Sequence, residues 1–128
     1  MLKKIETSSA PKAIGPYSQA IEVDSLIYTS GQIPLDEKGQ LVDGGIEEQT
    51  HQVLQNLQAI LKSAGSDLNH VIKTTVYLQN LEHFEQMNQV YATYFPHHQP
   101  ARACVEVSRL PRDVLVEIEV VAKKADKN

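Results

Sequence analysis

The stretch IEEQTHQVLQNLQAILKSAG, residues 46–65, runs after a short link into VIKTTVYL, residues 71–78. The first places Ile46, Thr50, Val53, Leu54, Leu57, Ile60, Leu61 and Ala64 on one stripe at helical spacing, as in a helix that buries one face. Glu47 and Glu48 suit the positive N-terminal end of that helix, and Gly65 is a stop signal. The opposite face, rich in Gln and Lys, is expected to be wet. The second stretch is β-branched and reads as a strand. A helix followed at once by a strand is the unit from which the fold is built.

Working outward, Gln19–Val23 and Leu26–Ser30 flank Asp24-Ser25 and read as a hairpin. SGQIP leads from it into a polar turn, Asp36–Gly39. On the other side, Asn80 suits an N-cap for a second helix, Leu81–Phe95, ended by Pro96. Its apolar stripe is Leu81, Phe84, Met87, Tyr91 and Phe95. Two strands close the chain, Ala101–Arg109 and Val114–Ala122, joined around Leu110-Pro111-Arg112-Asp113. The order β-β-α-β-α-β-β predicts a single α+β domain over residues 1–128, a sheet with both helices on one face. In the last strand Val116, Ile118 and Val120 point one way and Glu117, Glu119 and Val121 the other. In VIKTTVYL, Val71, Thr75 and Tyr77 are set opposite the face of Ile72, Val76 and Leu78. One sheet face is thus uncovered yet partly apolar, which predicts an oligomer.

Composition narrows the classes. The 128 residues are 41% hydrophobic and 22% charged, an ordinary globular mix. A net charge of −4 argues against nucleic acid or an anionic membrane as partner, since both need a basic footprint. One cysteine permits no internal disulfide, in keeping with a reducing compartment. No apolar run approaches a membrane span or a signal-peptide core. The expected location is cytoplasmic.

Candidate chemistry concentrates in PARACVEVSRLP, residues 100–111. Arg102 stands between two alanines near the start of a strand. It is either a surface arginine paired with a glutamate or a guanidinium fork presented to a carboxylate ligand. Cys104 shares its face, and a lone strand cysteine reads first as a small buried hydrophobe. Glu117 is either a solvated or ion-paired strand residue or a carboxylate that orients and deprotonates a water. Antiparallel pairing of the last two strands would bring a carboxylate near Arg102. Asn88 interrupts the apolar stripe of the second helix, so its amide either ties the helix to a strand end or faces a pocket. Ser30-Gly31-Gln32 allows close approach to the backbone, and Gly15-Pro16-Tyr17 projects a phenol. The five histidines lack metal-ligand spacing, and no phosphate loop, dinucleotide fingerprint or serine elbow is present.

Taken together, APKAIGPYSQAI, YTSGQIPLD, GGIEEQTHQVLQNLQAIL, VIKTTVYL and PARACVEVSRLPRDVLVEIEVVA resemble the Rid family, the reactive intermediate deaminases or YjgF-like proteins. The resemblance covers nearly the whole chain. It implies a chorismate-mutase-like α+β fold and a homotrimer with ligand pockets between subunits. It implies hydrolysis of reactive enamines and imines, such as 2-aminoacrylate, to 2-keto acids and ammonia, a 2-iminobutanoate/2-iminopropanoate deaminase without metal or cofactor. Arg102 then matches the arginine that binds the substrate carboxylate, and Glu117 the glutamate associated with water. Tyr17, Ser30, Gly31, Asn88 and Cys104 fall on pocket positions. Two other expectations are a metabolite-binding regulatory module without turnover and the ribonuclease or translation-inhibitor activity attached to some relatives.

Overall fold

The computed structural model describes residues 1–126. Six strands form one sheet: β1 (Lys3–Ile5), β2 (Ala20–Val23), β3 (Leu26–Thr29), β4 (Val71–Leu78), β5 (Ala101–Glu106) and β6 (Val116–Lys123). Helix α1 spans Ile46–Ser63 and helix α2 spans Phe84–Tyr94. The sheet order is β1-β2-β3-β6-β4-β5. Among the described strands only β4 and β5 run parallel, with α2 as their crossover. The expected order of elements holds, with one strand added at the front. Lys3–Ile5 is too short and too charged to signal a strand, and forms one by pairing with β2.

Local chemistry sets the ends. The β2–β3 hairpin turns on Asp24 (φ 50) and Ser25 (φ 66), the pair of positive φ values that a two-residue hairpin turn of matching twist needs. At the start of α1 the Glu48 carboxylate accepts the Gly45 N–H at 2.9 Å. At its end Gly65, φ +79, lets Ser66 N–H reach Leu61 O at 2.9 Å and Gly65 N–H reach Lys62 O at 3.1 Å. These two bonds satisfy carbonyls the helix leaves open. The second helix begins as a 3₁₀ turn, Leu81–His83, capped by Asn80 through Glu82 N–H at 2.9 Å. It becomes α-helical only at Phe84, so Leu81 lies off the buried stripe and is exposed.

All eight stripe residues of α1 are buried, packed over the face of the sheet that carries Val76, Leu78, Val116, Ile118, Val120 and Ala122. Each fully buried Leu, Ile or Val there contributes roughly 1.5–3 kcal/mol of transfer free energy. The flank of the helix is drier than expected. Gln49 and Asn56 are also buried because each serves a loop: Gln49 accepts Leu115 N–H at 2.8 Å and Asn56 donates to Leu35 O at 2.8 Å. A bulge between Val71 and Lys73 reverses the expected side for the first residues of β4. Val71 joins Val76 and Leu78 in the core, and Ile72 is turned out, 47% exposed. Among the described residues the other sheet face carries no helix. Tyr28 and Val105 lie open on it beside Glu117, Glu119 and Tyr77.

Candidate active site

Arg102 enters β5 opposite Thr74 of β4, on the helix-covered side of the sheet. There α2 receives it. Arg102 Nη1 donates to Asn88 Oδ1 at 2.7 Å. Its guanidinium carbon lies 4.8 Å from the Tyr91 ring centroid and 5.4 Å from that of Phe84, a cation on aromatic faces. Thr74 Oγ1 and Tyr91 Oη are 2.8 Å apart, so the ring beneath the cation is itself pinned. No ion pair among the described residues involves Arg102. The reading as a paired surface arginine therefore does not hold. The amide of Asn88 does both things the sequence allowed, tying helix to strand and lining a cavity. That cavity, about 420 Å³, is walled by Asn88, Tyr91, Phe95, Gln99, Pro100 and Arg102. Cys104 follows on the same face, half-buried. Burial pushes its thiol up and the Arg102 charge opposes this only in part, which is the opposite of what an activated nucleophile needs.

Glu117 stands elsewhere. Strand β4 separates β6 from β5, so the expected direct pairing of the last two strands does not occur. Glu117 pairs across to Tyr77 on the face without helices. Its carboxyl lies against Gly31, where an added methyl would come within 2.9 Å of Glu117 Cδ and closer still to Oε2. Only glycine leaves room for the acid. The segment is fixed by a two-way bridge, Gln32 N–H to Ile118 O at 2.9 Å and Ile118 N–H to Gln32 O at 3.2 Å. Burial, and then the neighbouring charge of Glu119, push the Glu117 carboxyl above the usual carboxylate range.

Glu117 opens into a cavity of about 480 Å³ that includes Tyr17, Ser30 and Gly31. Ser30 is already engaged: its Oγ donates to Ser18 O at 2.6 Å and its N–H to Gln19 O at 2.9 Å. It acts as a clamp on the loop that carries Tyr17. Gln19 completes that clamp, accepting Thr7 N–H at 2.7 Å and donating to Thr7 O at 3.1 Å and Pro11 O at 2.8 Å.

The seven expected site residues thus separate into two groups. Arg102, Asn88 and Cys104 belong to one side of the sheet, and Tyr17, Ser30, Gly31 and Glu117 to the other. The sequence reading missed Tyr91 and Phe84 as the platform for Arg102, although their spacing about Asn88 on one helix was a usable signal. It also missed Lys12 and Arg112, which line the Glu117 cavity from loops whose course no local pattern reveals. Among the described residues no cluster of three or more His, Cys, Asp or Glu is placed to hold a metal. No helix there is long and apolar enough to cross a membrane.

This architecture, with both helices on one face of a mixed sheet, is the chorismate-mutase-like α+β fold. Residues 7–124 match the family described as Endoribonuclease L-PSP. A RutC family protein of Pyrococcus horikoshii is 56% identical over 97% of this chain and 99% of its own. The 2-iminobutanoate/2-iminopropanoate deaminase of Mus musculus is 54% identical over 94% of this chain and 90% of its own. The solved structure of E. coli TdcF with bound serine superposes with a TM-score of 0.91 at 40% identity, covering 96% of this chain and 99% of that one. The chain belongs to the Rid family, and relatives at this level of identity are named as deaminases.

Proposed function

We propose that this protein is a 2-iminobutanoate/2-iminopropanoate deaminase, hydrolysing short 2-imino acids and their enamine tautomers to 2-keto acids and ammonia. The observation that carries the proposal is Arg102: a guanidinium stacked on two rings, oriented by one amide oxygen, with no ion-pair partner among the described residues. Such a group has parallel N–H donors left for a carboxylate. The name of the mouse relative and the serine bound to E. coli TdcF support a ligand of this class. Each is a property of that protein.

Arg102 binds the carboxylate of the substrate and fixes the imine carbon in place. The Glu117 carboxylate takes a proton from a water as its oxygen bonds to that carbon, and passes that proton to the imine nitrogen, which becomes the amine of a carbinolamine. The carbinolamine then collapses: Glu117 takes its hydroxyl proton as the carbonyl forms and delivers it to the departing nitrogen, so the C–N bond breaks and ammonia leaves. A carboxyl raised by burial suits both directions of transfer better than an exposed one. No redox change occurs, and the two side chains suffice to bind the substrate and move its protons.

Arg102 and Glu117 lie on opposite faces of one sheet, so the proposed site takes Arg102, Asn88 and Cys104 from one copy and Tyr17, Gly31 and Glu117 from the next. A closed ring of three copies, packed through the open sheet face, gives three equivalent sites and covers Tyr28 and Val105.

The test generates 2-aminoacrylate from serine with a dehydratase and follows pyruvate. Wild type accelerates release, Arg102→Ala does not, and Cys104→Ala keeps most of the activity. Full activity in Arg102→Ala sinks the mechanism. Tight 2-keto acid binding with no acceleration by wild type supports a binding module instead. RNA cleavage that survives Arg102→Ala supports the ribonuclease reading suggested by the family description.

A further inference from the structure

Two carboxylates share the open face of β6, Glu117 and Glu119, and the reaction above uses only one. Their surroundings differ. Glu117 is opposite Tyr77 in the sheet register, while Glu119 is opposite Thr75. Tyr77 leans diagonally, and its hydroxyl donates to Glu119 Oε1 at 3.2 Å. The ring of Tyr77 thus starts beside one acid and ends on the other. No ion pair among the described residues involves Glu117 or Glu119.

Titratable groups from several elements face Glu117. Its own strand supplies Glu119 and β4 supplies Tyr77. The loop before β2 supplies Lys12 and Tyr17, and the β5–β6 loop supplies Arg112, all on the same cavity; in the proposed ring the next copy adds the Arg102 guanidinium and the Cys104 thiol.

We propose that Glu119, held by the Tyr77 hydroxyl, is a positioning residue that acts through Glu117: its carboxylate, kept beside Glu117, governs how readily the Glu117 carboxyl takes up and returns a proton. The inference rests on the deaminase reading for its purpose, but not for its physics. Two like charges on one strand face, on a partly buried surface without an ion-pair partner, disfavour simultaneous ionisation. Tyr77 keeps Glu119 from swinging away from Glu117. The directions of the protonation shifts agree. Burial first and Glu119 second raise Glu117, and burial first and then Glu119 raise the Tyr77 phenol, so it stays a donor at neutral pH. The pair thereby makes Glu117 a stronger base toward the attacking water.

The experiment follows the side-chain carboxyl of Glu117 by carbon-13 NMR across a pH titration, in wild type, Glu119→Gln and Tyr77→Phe. Glu119→Gln keeps the size and removes the charge, so the Glu117 midpoint moves to lower pH. The acid limb of the kcat/KM profile moves with it. Tyr77→Phe keeps the ring and frees Glu119, giving a smaller movement in the same direction. If Glu119→Gln does not fold, Tyr77→Phe carries the test. A Glu117 midpoint unmoved in the folded variants overturns the inference. Failure of the deaminase reading shows separately, as absence of pyruvate release by wild type; the carboxyl titration decides the present point either way.

Discussion

Arg102 and Glu117 stand on opposite faces of one sheet, on strands that β4 separates. Their cavities have no described lining residue in common. One chain cannot close both groups on a substrate of three or four carbons. Arg102→Ala and Glu117→Gln are therefore each expected to be inactive alone and active when unfolded together and reassembled. Independent assortment around a ring leaves about one quarter of the interfaces with both groups intact, and the mixture recovers about that fraction of wild-type turnover. No recovery, with mixed oligomers verified by mass, contradicts the shared site.

Asn88→Ala removes the amide oxygen that orients Arg102 at 2.7 Å and leaves the aromatic platform. KM is expected to rise about tenfold, about 1.4 kcal/mol, with kcat little changed, since the lost contact serves binding before it serves chemistry. Steady-state kinetics on enzymatically generated 2-iminobutanoate read the split.

Gly31→Ala places a methyl against the Glu117 carboxyl. Either the acid or the 30–33 segment is displaced, and the bridge to Ile118 resists the second. A displacement near 1 Å at the acid costs roughly a hundredfold in kcat. The same variant keeps its affinity for a 2-keto acid bound through Arg102, measured by calorimetry.

Glu117→Gln separates stability from activity. The folded protein holds the Glu117 proton more tightly than the unfolded chain does. The charged carboxylate therefore destabilises the fold at neutral pH, and that penalty disappears as the pH falls below the ordinary carboxylate range. Glutamine removes it. The variant is expected to melt a few degrees higher than wild type at pH 7–8, to lose that advantage in acid, and to be catalytically dead.

Ser25→Gly acts far from the Arg102 and Glu117 cavities. Ser25 sits at φ 66 in the exposed β2–β3 turn, where a side chain costs about 1–2 kcal/mol against glycine. Part of that gain is offset because glycine also loosens the unfolded chain. The expected net stabilisation is about 0.5–1 kcal/mol, visible as a higher midpoint in urea with an unchanged slope.

Much of this fold is legible in the sequence because its elements are locally consistent. The stripe of α1, the Gly65 stop, the alternation of β6 and the Asp24-Ser25 turn each depend on residues close in the chain. What is not legible is decided at long range. Lys3–Ile5 is a strand only because β2 lies beside it. The bulge that turns Ile72 out of the core depends on pairing with β6. Gln49 and Asn56 read as wet until the loops they serve are in place. For the candidate site the local pattern drew attention to Arg102, Glu117 and Asn88 but left each with two readings, and their roles came only with the family resemblance. It could not place Arg102 and Glu117 on opposite faces, because strand order is not written in either strand.

The order of the sheet also bears on synthesis. The last strand, β6, is joined to β3 on one side and to β4 on the other. A nascent chain that has emerged only as far as Leu115 holds two separate fragments of sheet, and α1 lacks Val116, Ile118, Val120 and Ala122 to pack upon. Folding of the whole then waits on the arrival of that strand, and apolar surface stays open to chaperones until it has emerged.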